Sequence, residues 1–364
     1  MFVDIHCLQQ VPPSNINRDD TSSPKTAYVG GALRARVSSQ SWKRAMREMF
    51  GSKLDSSKMG KRTKSAVALI SNAIAEKRLD LAEEANNLAE KVLTATGVKV
   101  KASDRAGADK GSAATEYLIF IANREVEQLA DIAIAAFDEG KDPSKLKKEV
   151  AAVFHGKQAI DIACFGRMLA DAPDLNTDAS AQVAHAFSID QITPEYDYFT
   201  AVDDCASDDN AGAAMIDTVG FNSSTLYRYA TLNVDALRDQ LQDADAMVEG
   251  VSAFVEAFVK SMPSGKQNTF ANHTLPEDIV IVLRDSQPIS AADAFENPIK
   301  RKDGISVSRQ GIERLGDRLN EIRINYGEEP VKAWHVVSGG SVPSLDEWSE
   351  QVTLPELEQS LRET

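Results

Sequence analysis

A long stretch of helical periodicity in the middle of the chain constrains the fold more than any other feature of the sequence. From Lys64 to Thr96, and again from Ala113 to Phe137, apolar residues recur at helical spacing, and Lys141 to Val153 predicts one more helix. The segment from Gly97 to Ala114 has no such period. The middle third is therefore predicted to be a helical insertion in a chain that otherwise folds around a sheet.

The segments on either side of this insertion alternate between strand and helix. Val3, Ile5 and Cys7 alternate with their neighbours and predict a strand, which a polar loop from Pro12 to about Val37 follows. Residues 160–234 contain short apolar runs between acidic or Gly-containing turns, which predicts strands and an extended hairpin. The remaining predicted elements are a helix at 39–50, a helix at 235–260, a strand at 278–284, a helix at 306–326, a strand at 331–338 and a helix at 345–362. This order indicates an α+β sheet with helices on one face.

Composition excludes several classes of protein. The 364 residues are 43% hydrophobic and 26% charged, with 20 Gly and 13 Pro, so disordered, collagen-like and low-complexity classes do not fit. Cys7, Cys164 and Cys205 are far apart and form no CxxC pair, so neither a disulfide framework nor a cysteine zinc site is predicted. No apolar run approaches a membrane span and residues 1–6 lack a signal-peptide pattern, so a cytoplasmic location is expected.

Charge is distributed very unevenly along the chain. The net charge is −15, yet the segment from Arg34 to Lys64 has ten basic and two acidic residues, a local charge of +8. The segment from Ser341 to Thr364 has six acids and one Arg. This pattern fits a basic groove on an acidic body, which would bind a phosphate backbone locally, and it equally fits a solvated basic face.

The helix predicted at 39–50 places cations and anion-binding groups together. Lys43 and Arg47 are four residues apart, and Arg44 lies three before Arg47, so the three share one stripe. Trp42, Ala45, Met46 and Met49 face the core at helical spacing. Hydroxyl and amide groups at residues 38–41 stand at the helix N-terminus, where free N–H groups favour an anion. Together with Arg34 and Arg36 they predict a phosphate cradle that is indifferent to base sequence, unless they form only a helix cap and a solvated face.

The loop Asn17-Arg18-Asp19-Asp20 is the second candidate site. Its two carboxylates could hold a magnesium ion for phosphodiester cleavage, or they could cap turns and orient Arg18 towards a phosphate. The second interpretation is preferred, because no spacing elsewhere predicts further metal-binding carboxylates. The five histidines are scattered, and no Walker A, GxGxxG or GxSxG motif occurs, so no catalytic residue, metal or cofactor is predicted.

Several motifs occur together in an order that is characteristic of one family. They are Asn17-Arg18-Asp19-Asp20, Gly30-Gly31, RVSSQSWKRAMR at 36–47, Asp161-Ile162-Ala163 with Gly166-Arg167-Met168, FTAVDD at 199–204 and YRYA at 227–230. In these motifs the chain resembles the CasC-type backbone subunits of type I-E CRISPR surveillance complexes (Cascade). The resemblance extends from the first strand to at least Phe295.

The resemblance implies a right-hand-like α+β fold. Its parts would be a palm similar to the RNA-recognition motif (ferredoxin-like), a helical fingers insertion and an extended β thumb. The implied boundaries are palm 1–58, fingers 59–158, a returning palm strand at 159–179, thumb 180–222 and palm 223–364.

The family also implies a function without catalysis. Several copies, typically six, would polymerise head to tail along the CRISPR RNA, hold its phosphate backbone and leave bases free to pair with target DNA. They would act in antiviral defence together with the large, small, 5′-end and endoribonuclease subunits. The expected RNA-binding residues are Arg18, Arg34, Arg36, Ser38, Gln40, Lys43, Arg44, Arg47, Arg167 and Met168. A looser match assigns target-DNA binding to Lys141, Lys145, Lys147 and Lys148.

Two other functions remain open at the level of sequence. One is a metal-dependent RNase of the related type III backbone kind, with Asp19 or Asp20 as the catalytic carboxylate. The other is a sequence-specific DNA-binding regulator, which would need a base-reading recognition helix and a dimer.

Overall fold

The computed structural model describes residues 1–102, 113–201 and 215–363. The chain forms two compact units. The first contains Met1–Met49, Gln182–Leu232 and Phe254–Thr364, and the second contains Phe50–Ala181 and Asn233–Ala253. Helices and strands are mixed along the chain, so the predicted α+β class is confirmed.

The strands are short except for two long ones. In chain order they are β1 (Phe2–Ser14), β2 (Thr26–Val29), β3 (Ala32–Val37), β4 (Gly60–Thr63), β5 (Val100–Ala102), β6 (Ala113–Thr115), β7 (Ile119–Ala122), β8 (Ala181–Val183), β9 (Ala186–Ser188), β10 (Glu195–Ala201), β11 (Met215–Asn233), β12 (Asp278–Arg284), β13 (Lys332–Val337) and β14 (Glu350–Gln351).

The α-helices are α1 (Ser39–Lys53), α2 (Ala66–Lys77), α3 (Ala85–Thr94), α4 (Asn123–Asp138), α5 (Lys147–His155), α6 (Ile160–Phe165), α7 (Val234–Leu241), α8 (Ala244–Lys260), α9 (Gln267–Phe270), α10 (Val307–Tyr326), α11 (Pro343–Asp346) and α12 (Leu354–Glu363). Within the described ranges, no helix is both long and apolar enough to cross a membrane.

The first unit is built on one ten-stranded sheet. Its order is β14-β13-β12-β1-β11-β9-β3-β2, with β8 and β10 each paired to β11. β1 runs antiparallel to β12, from Phe2 opposite Arg284 to Leu8 opposite Asp278. All of β12 and the segment Val3–Leu8 are buried, so both faces of the central strands are covered. The alternation in β1 therefore does not mark a solvent-exposed face.

Helix α10 packs closely on this sheet. Its residues Ile312, Leu315 and Leu319 share a buried cluster with Leu8 of β1 and Val280 of β12. A Cβ at Gly311 would lie 2.6 Å from Ile189 Cδ1 and 2.9 Å from Leu8 Cδ1, so a larger residue there would have to displace these two side chains. Burial of this face fixes the central strands.

The second unit is mainly helical, as predicted, but it also contains two small ribbons. Helices α2, α3, α4 and α5 enclose a core that includes Ile70, Val92, Leu129, Val150 and Phe154. Strands β4 and β7 form one two-stranded sheet, and β5 and β6 form another. The expected continuous helix from Ala113 to Phe137 is therefore wrong before Asn123, where buried residues of β7 pair with β4.

Three further expectations need correction. The polar loop at 12–37 contains the hairpin of β2 and β3. Residues 160–165 form helix α6 in the second unit, so the expected returning strand at 159–179 is absent from these residues. The closing helix at 345–362 is divided into α11, β14 and α12. Cys205 and the motif residues 202–204 lie outside the described residues, as does most of the aperiodic segment 97–114.

Candidate nucleic-acid interface

The N-terminus of α1 is organised by the side chain of Asn17. Its Oδ1 accepts hydrogen bonds from the backbone N–H and the hydroxyl of Ser38, both at 2.8 Å, and its Nδ2 donates to Ser41 Oγ at 2.9 Å. Ser38 is 6% exposed. Asn17 and Ser38 therefore hold the first turn of α1 in place, and Ser38, a predicted RNA contact, acts mainly from beneath the surface.

Cations from the hairpin of β2 and β3 lie beside this turn. Lys25 Nζ donates to Ser38 Oγ at 3.2 Å, and the backbone N–H of Arg36 donates to the Lys25 carbonyl at 2.9 Å. Gly30 and Gly31 form the turn of the hairpin with φ of +57° and +75°, a conformation that favours glycine. The turn thus brings Lys25 and Arg36 together at the start of α1.

His185 extends this group of cations. Arg36 Nη1 lies 3.2 Å from His185 Nδ1, and Arg36 Nε donates to the Thr26 carbonyl at 3.2 Å. Burial, together with the charges of Arg36 and Lys25, lowers the pKa of His185. A neutral imidazole can accept a hydrogen bond from Arg36 and so orient its guanidinium. Sequence reasoning missed Lys25 and His185 because it predicted neither the hairpin of β2 and β3 nor the pairing of β9 with β3.

Helix α1 presents the two faces that its sequence predicts. Trp42 and Met46 are 1% and 0% exposed and form the inner face. Lys43 and Arg47 are partly buried one turn apart, and Arg44 is exposed with its Nε 2.8 Å from Glu48 Oε1. An exposed pair at this spacing is weak, so a phosphate can compete with Glu48 for Arg44.

The loop after β1 exposes Arg18, and Gln40 is exposed at the start of α1. Asp19 Oδ1 accepts hydrogen bonds from the backbone N–H of Thr21 and Ser23 at 2.9 and 3.0 Å and from the Thr21 hydroxyl at 2.7 Å. Its pKa is lowered, most of all by the Thr21 hydroxyl. This geometry fits the preferred interpretation, in which the carboxylate caps a turn beside Arg18.

The same surface contains a small cavity of about 20 Å³. Its lining includes Asn17, Lys25, Arg36, Asn222 and Ser224. This volume suits about one water molecule, so the cavity does not accommodate an organic cofactor. Among the described residues, no group of three or more His, Cys, Asp or Glu side chains is placed to hold a metal ion.

Arg34 does not belong to this surface. Its side chain is buried at 0% exposure, and its guanidinium donates to the carbonyls of Ser188, Phe295 and Glu296 at 2.7, 3.1 and 3.0 Å. These bonds tie β3 to β9 and to the segment before α10. We therefore correct the expectation that Arg34 contacts RNA and assign it a structural role.

Arg167 is likewise buried, in the second unit. Its Nη1 lies 2.6 and 2.8 Å from the two carboxylate oxygens of Glu125, and neither side chain is exposed. Its Nη2 donates to the Phe154 carbonyl at 3.0 Å, and the guanidinium stands 4.9 Å from the Phe154 ring centroid. This burial argues against contact with RNA, so we remove Arg167 from the candidate interface.

The other predicted residues of the second unit are accessible. Met168 is 77% exposed and follows Gly166, whose φ of +77° ends α6. Lys141, Lys145, Lys147 and Lys148 are all exposed around the start of α5, and Lys141 Nζ lies 2.5 Å from Glu139 Oε2. These four lysines place exposed positive charge around the start of α5.

Comparison with known proteins identifies the family. Residues 3–360 match the model of a family described as CT1975-like protein (Cas_CT1975). The chain belongs to this family. A comparison with curated proteins finds no match.

Two solved structures are similar to the chain over its entire length. A chain of a structure described as "CRISPR RNA-guided surveillance complex, pre-nicking" is 31% identical with a TM-score of 0.86, over 100% of this chain and 99% of that one. A chain of another, described as "CRISPR RNA-guided surveillance complex", is 28% identical with a TM-score of 0.76, over the same shares. The fold is therefore that of a subunit of such complexes.

Proposed function

We propose that this protein is the RNA-binding backbone subunit of a CRISPR RNA-guided surveillance complex of the type I-E Cascade kind, corresponding to CasC. The observation that carries the proposal is the full-length similarity, at 31% identity and a TM-score of 0.86, to a chain of such a complex. The cradle of Asn17, Lys25, Arg36 and Ser38 at the start of α1 supports it from the chemistry of the residues.

The cradle suits a phosphate backbone because its groups have no preference among bases. Arg18, Arg36, Lys43, Arg44 and Arg47 supply positive charge, and the first N–H groups of α1 add the positive end of the helix dipole. Contacts of this kind position a strand and read no sequence. Sequence would be read by pairing between the guide and the target DNA.

The other parts of the proposal follow the family resemblance. The sheet of the first unit would be the RNA-recognition-motif-like palm, the ribbon of β10 and β11 would belong to the thumb, and the helical second unit would be the fingers. Several copies, about six, would polymerise head to tail along the guide, which multiplies weak contacts into tight binding. Met168 would pack near a displaced nucleotide, and the lysines around α5 would hold target DNA.

We further propose that the subunit is not catalytic. The alternative is a metal-dependent RNase that uses Asp19 or Asp20. Asp19 already accepts three hydrogen bonds within its own turn, which supports a structural role for it. Magnesium-dependent cleavage of a paired RNA target that disappears in both Asp19→Ala and Asp20→Ala would establish the RNase instead.

The mass of the purified protein with and without co-expressed CRISPR RNA tests the proposal. Size exclusion with light scattering, together with an RNA assay of the peak, should give a large species of regular stoichiometry that ribonuclease disperses. A protein that stays monomeric and free of RNA, even beside the other subunits, would refute the backbone role.

A further inference from the structure

Arg228 of β11 is a buried cation for which the described part of the chain supplies no carboxylate partner. It is 1% exposed, and its Nη1 donates to Gln9 Oε1 at 2.6 Å while its Nη2 donates to the Phe258 carbonyl. Its Nε has no hydrogen-bond partner among the residues that the structure describes. Over the ranges that the structure describes, Arg228 forms no ion pair, whereas the buried Arg284 is paired with Asp4 and Arg167 with Glu125.

The positive charge of Arg228 is retained at neutral pH. Burial lowers the pKa of its guanidinium to about 10. The neighbouring Cys7 thiol does not neutralise it, because burial raises the pKa of that thiol to about 12. A buried charge without a counter-ion lowers the stability of the folded state. The fold therefore maintains an unfavourable charge at this position.

The position of that charge is directly behind the candidate RNA-binding helix. The guanidinium lies 3.8 Å from the ring centroid of Trp42 and 4.7 Å from that of Phe258. Trp42 belongs to α1, between Ser41 at the organised first turn and Lys43 on the cationic face. Only the thickness of one helix, about 10 Å, separates Arg228 from that face, and a charge inside a protein is screened less than a charge in water.

We infer that Arg228 is a positioning residue for RNA, whose uncompensated charge behind Trp42 strengthens the attraction of α1 for phosphate. The inference rests on the proposed function and adds a residue that never touches the RNA. An RNA phosphate bound on the outer face of α1 would then be the counter-ion of Arg228, and the two charges would attract each other through the helix. This also gives a reason for a neutral Gln9, where a Glu would have paired with Arg228 and cancelled its field.

The test compares RNA affinity with stability in the full-length chain. Arg228→Met removes the charge and keeps most of the volume, and Arg228→Lys keeps the charge. The affinity for a short fluorescein-labelled single-stranded RNA is measured by anisotropy over a salt series, and thermal unfolding is measured without RNA. We expect Arg228→Met to bind about tenfold more weakly and to unfold at a somewhat lower temperature, because Gln9 Oε1 and the Phe258 carbonyl lose their donor. Arg228→Lys should stay within about threefold of the original affinity.

The dependence of affinity on salt separates this role from direct contact. A residue that touches a phosphate changes the slope of log affinity against log salt by about one unit, and Arg228→Met should change it by less. Gln9→Glu provides a second variant if Arg228→Met does not fold, because it neutralises Arg228 without removing it. Once circular dichroism shows it to be folded, it should also bind RNA more weakly.

Several outcomes would overturn the inference. The inference is wrong if Arg228→Met, or Gln9→Glu in a folded state, binds RNA as tightly as the original chain. Arg228→Met and Arg228→Lys that lose affinity and stability in the same proportion would show a purely structural role. The variant Lys43→Ala with Arg47→Ala serves as the reference for direct contact: if the original chain binds no RNA at all, the proposed function fails together with the inference. Suppose instead that the original chain binds RNA and that the Lys43→Ala, Arg47→Ala variant binds it more weakly. If Arg228→Met then binds as tightly as the original chain, only the inference fails.

Discussion

Asn17 Oδ1 lies 2.8 Å from both the backbone nitrogen and the hydroxyl oxygen of Ser38, so one amide oxygen closes the first turn of α1. The two residues are 21 positions apart, and the bond fastens the loop after β1 to the helix. Replacement of Asn17 therefore tests whether the shape of this turn matters for RNA.

Asn17→Ala should lower the free energy of unfolding by about 1–2 kcal/mol, because the Ser38 N–H loses its acceptor and Ser41 Oγ loses its donor. RNA affinity should fall as well. Asn17→Asp is the matched control, since it keeps the acceptor and adds a negative charge. It should unfold much like the original chain in urea yet bind RNA more weakly, and equal RNA binding by all three proteins would contradict the cradle.

Lys43→Ala with Arg47→Ala should weaken binding to every RNA sequence about equally. The two side chains lie on the cationic face of α1, where contact with phosphate carries no base information. The slope of log affinity against log salt should decrease by about one unit for each lost contact. Anisotropy titrations with RNAs of unrelated sequence measure both quantities, and a loss confined to some sequences would argue for base recognition.

Lys145→Ala, Lys147→Ala and Lys148→Ala combined should leave guide RNA binding unchanged and weaken the association of the assembled complex with target DNA. All three side chains are exposed at the start of α5, away from the cradle residues in sequence. Gel-shift titration with guide and with duplex DNA separates the two effects. The Lys43→Ala, Arg47→Ala variant is the reciprocal control. Reduced guide binding in the triple lysine variant would show that the lysines around α5 also bind guide RNA.

Asp278→Asn should stabilise the protein at neutral pH. Asp278 is 1% exposed, and burial raises its pKa from 3.8 to about 6. Because the folded state holds this proton more tightly than the unfolded state, the carboxylate lowers the free energy of unfolding as the pH rises from about 4 to 6. The variant should gain up to about 3 kcal/mol at pH 7 and little near pH 4.

Urea unfolding at several pH values checks this prediction. Asn can keep both existing contacts, since its oxygen can accept from the Ser338 N–H and its amide can donate to Ser308 Oγ. The exposed Asp317→Asn on α10 is the control and should change little. A variant that is no more stable at pH 7 than at pH 4, relative to the original chain, would show that the Asp278 carboxylate is not under strain.

Local hydrophobic periodicity was enough to predict the longer helices and strands, because their own residues specify the secondary structure. The strand Asp278–Arg284 and the helix ending at Tyr326 agree with prediction to within a residue, and the inner face of α1 follows from the spacing of Trp42 and Met46. The run Ile160–Phe165 was read as a strand and is a helix. A short apolar run is ambiguous between the two, and its neighbours in space decide.

The candidate site depends on contacts between distant residues, which local sequence patterns do not predict. Arg34 and Arg36 lie two residues apart on one strand, so alternation cannot distinguish them, yet Arg34 is bound to carbonyls of Ser188 and Phe295 far along the chain. Lys25 enters the cradle only through the hairpin, for which Gly30-Gly31 was the available signal. The partner of Arg167 is Glu125, 42 residues away, and no local pattern connects them.

One strand, β11, belongs at once to the ribbon with β10 and to the sheet of the first unit. It pairs with β10 from Met215 to Phe221, and its later residues Leu226 and Tyr227 pair with β9, with no break in the strand between. A force on the ribbon would therefore be transmitted along the continuous strand β11 into the sheet, where neighbouring strands would have to slide past each other. We expect such a ribbon to resist swinging open; in the proposed filament, a guide strand would then be enclosed as each copy is added and would not be threaded through afterwards.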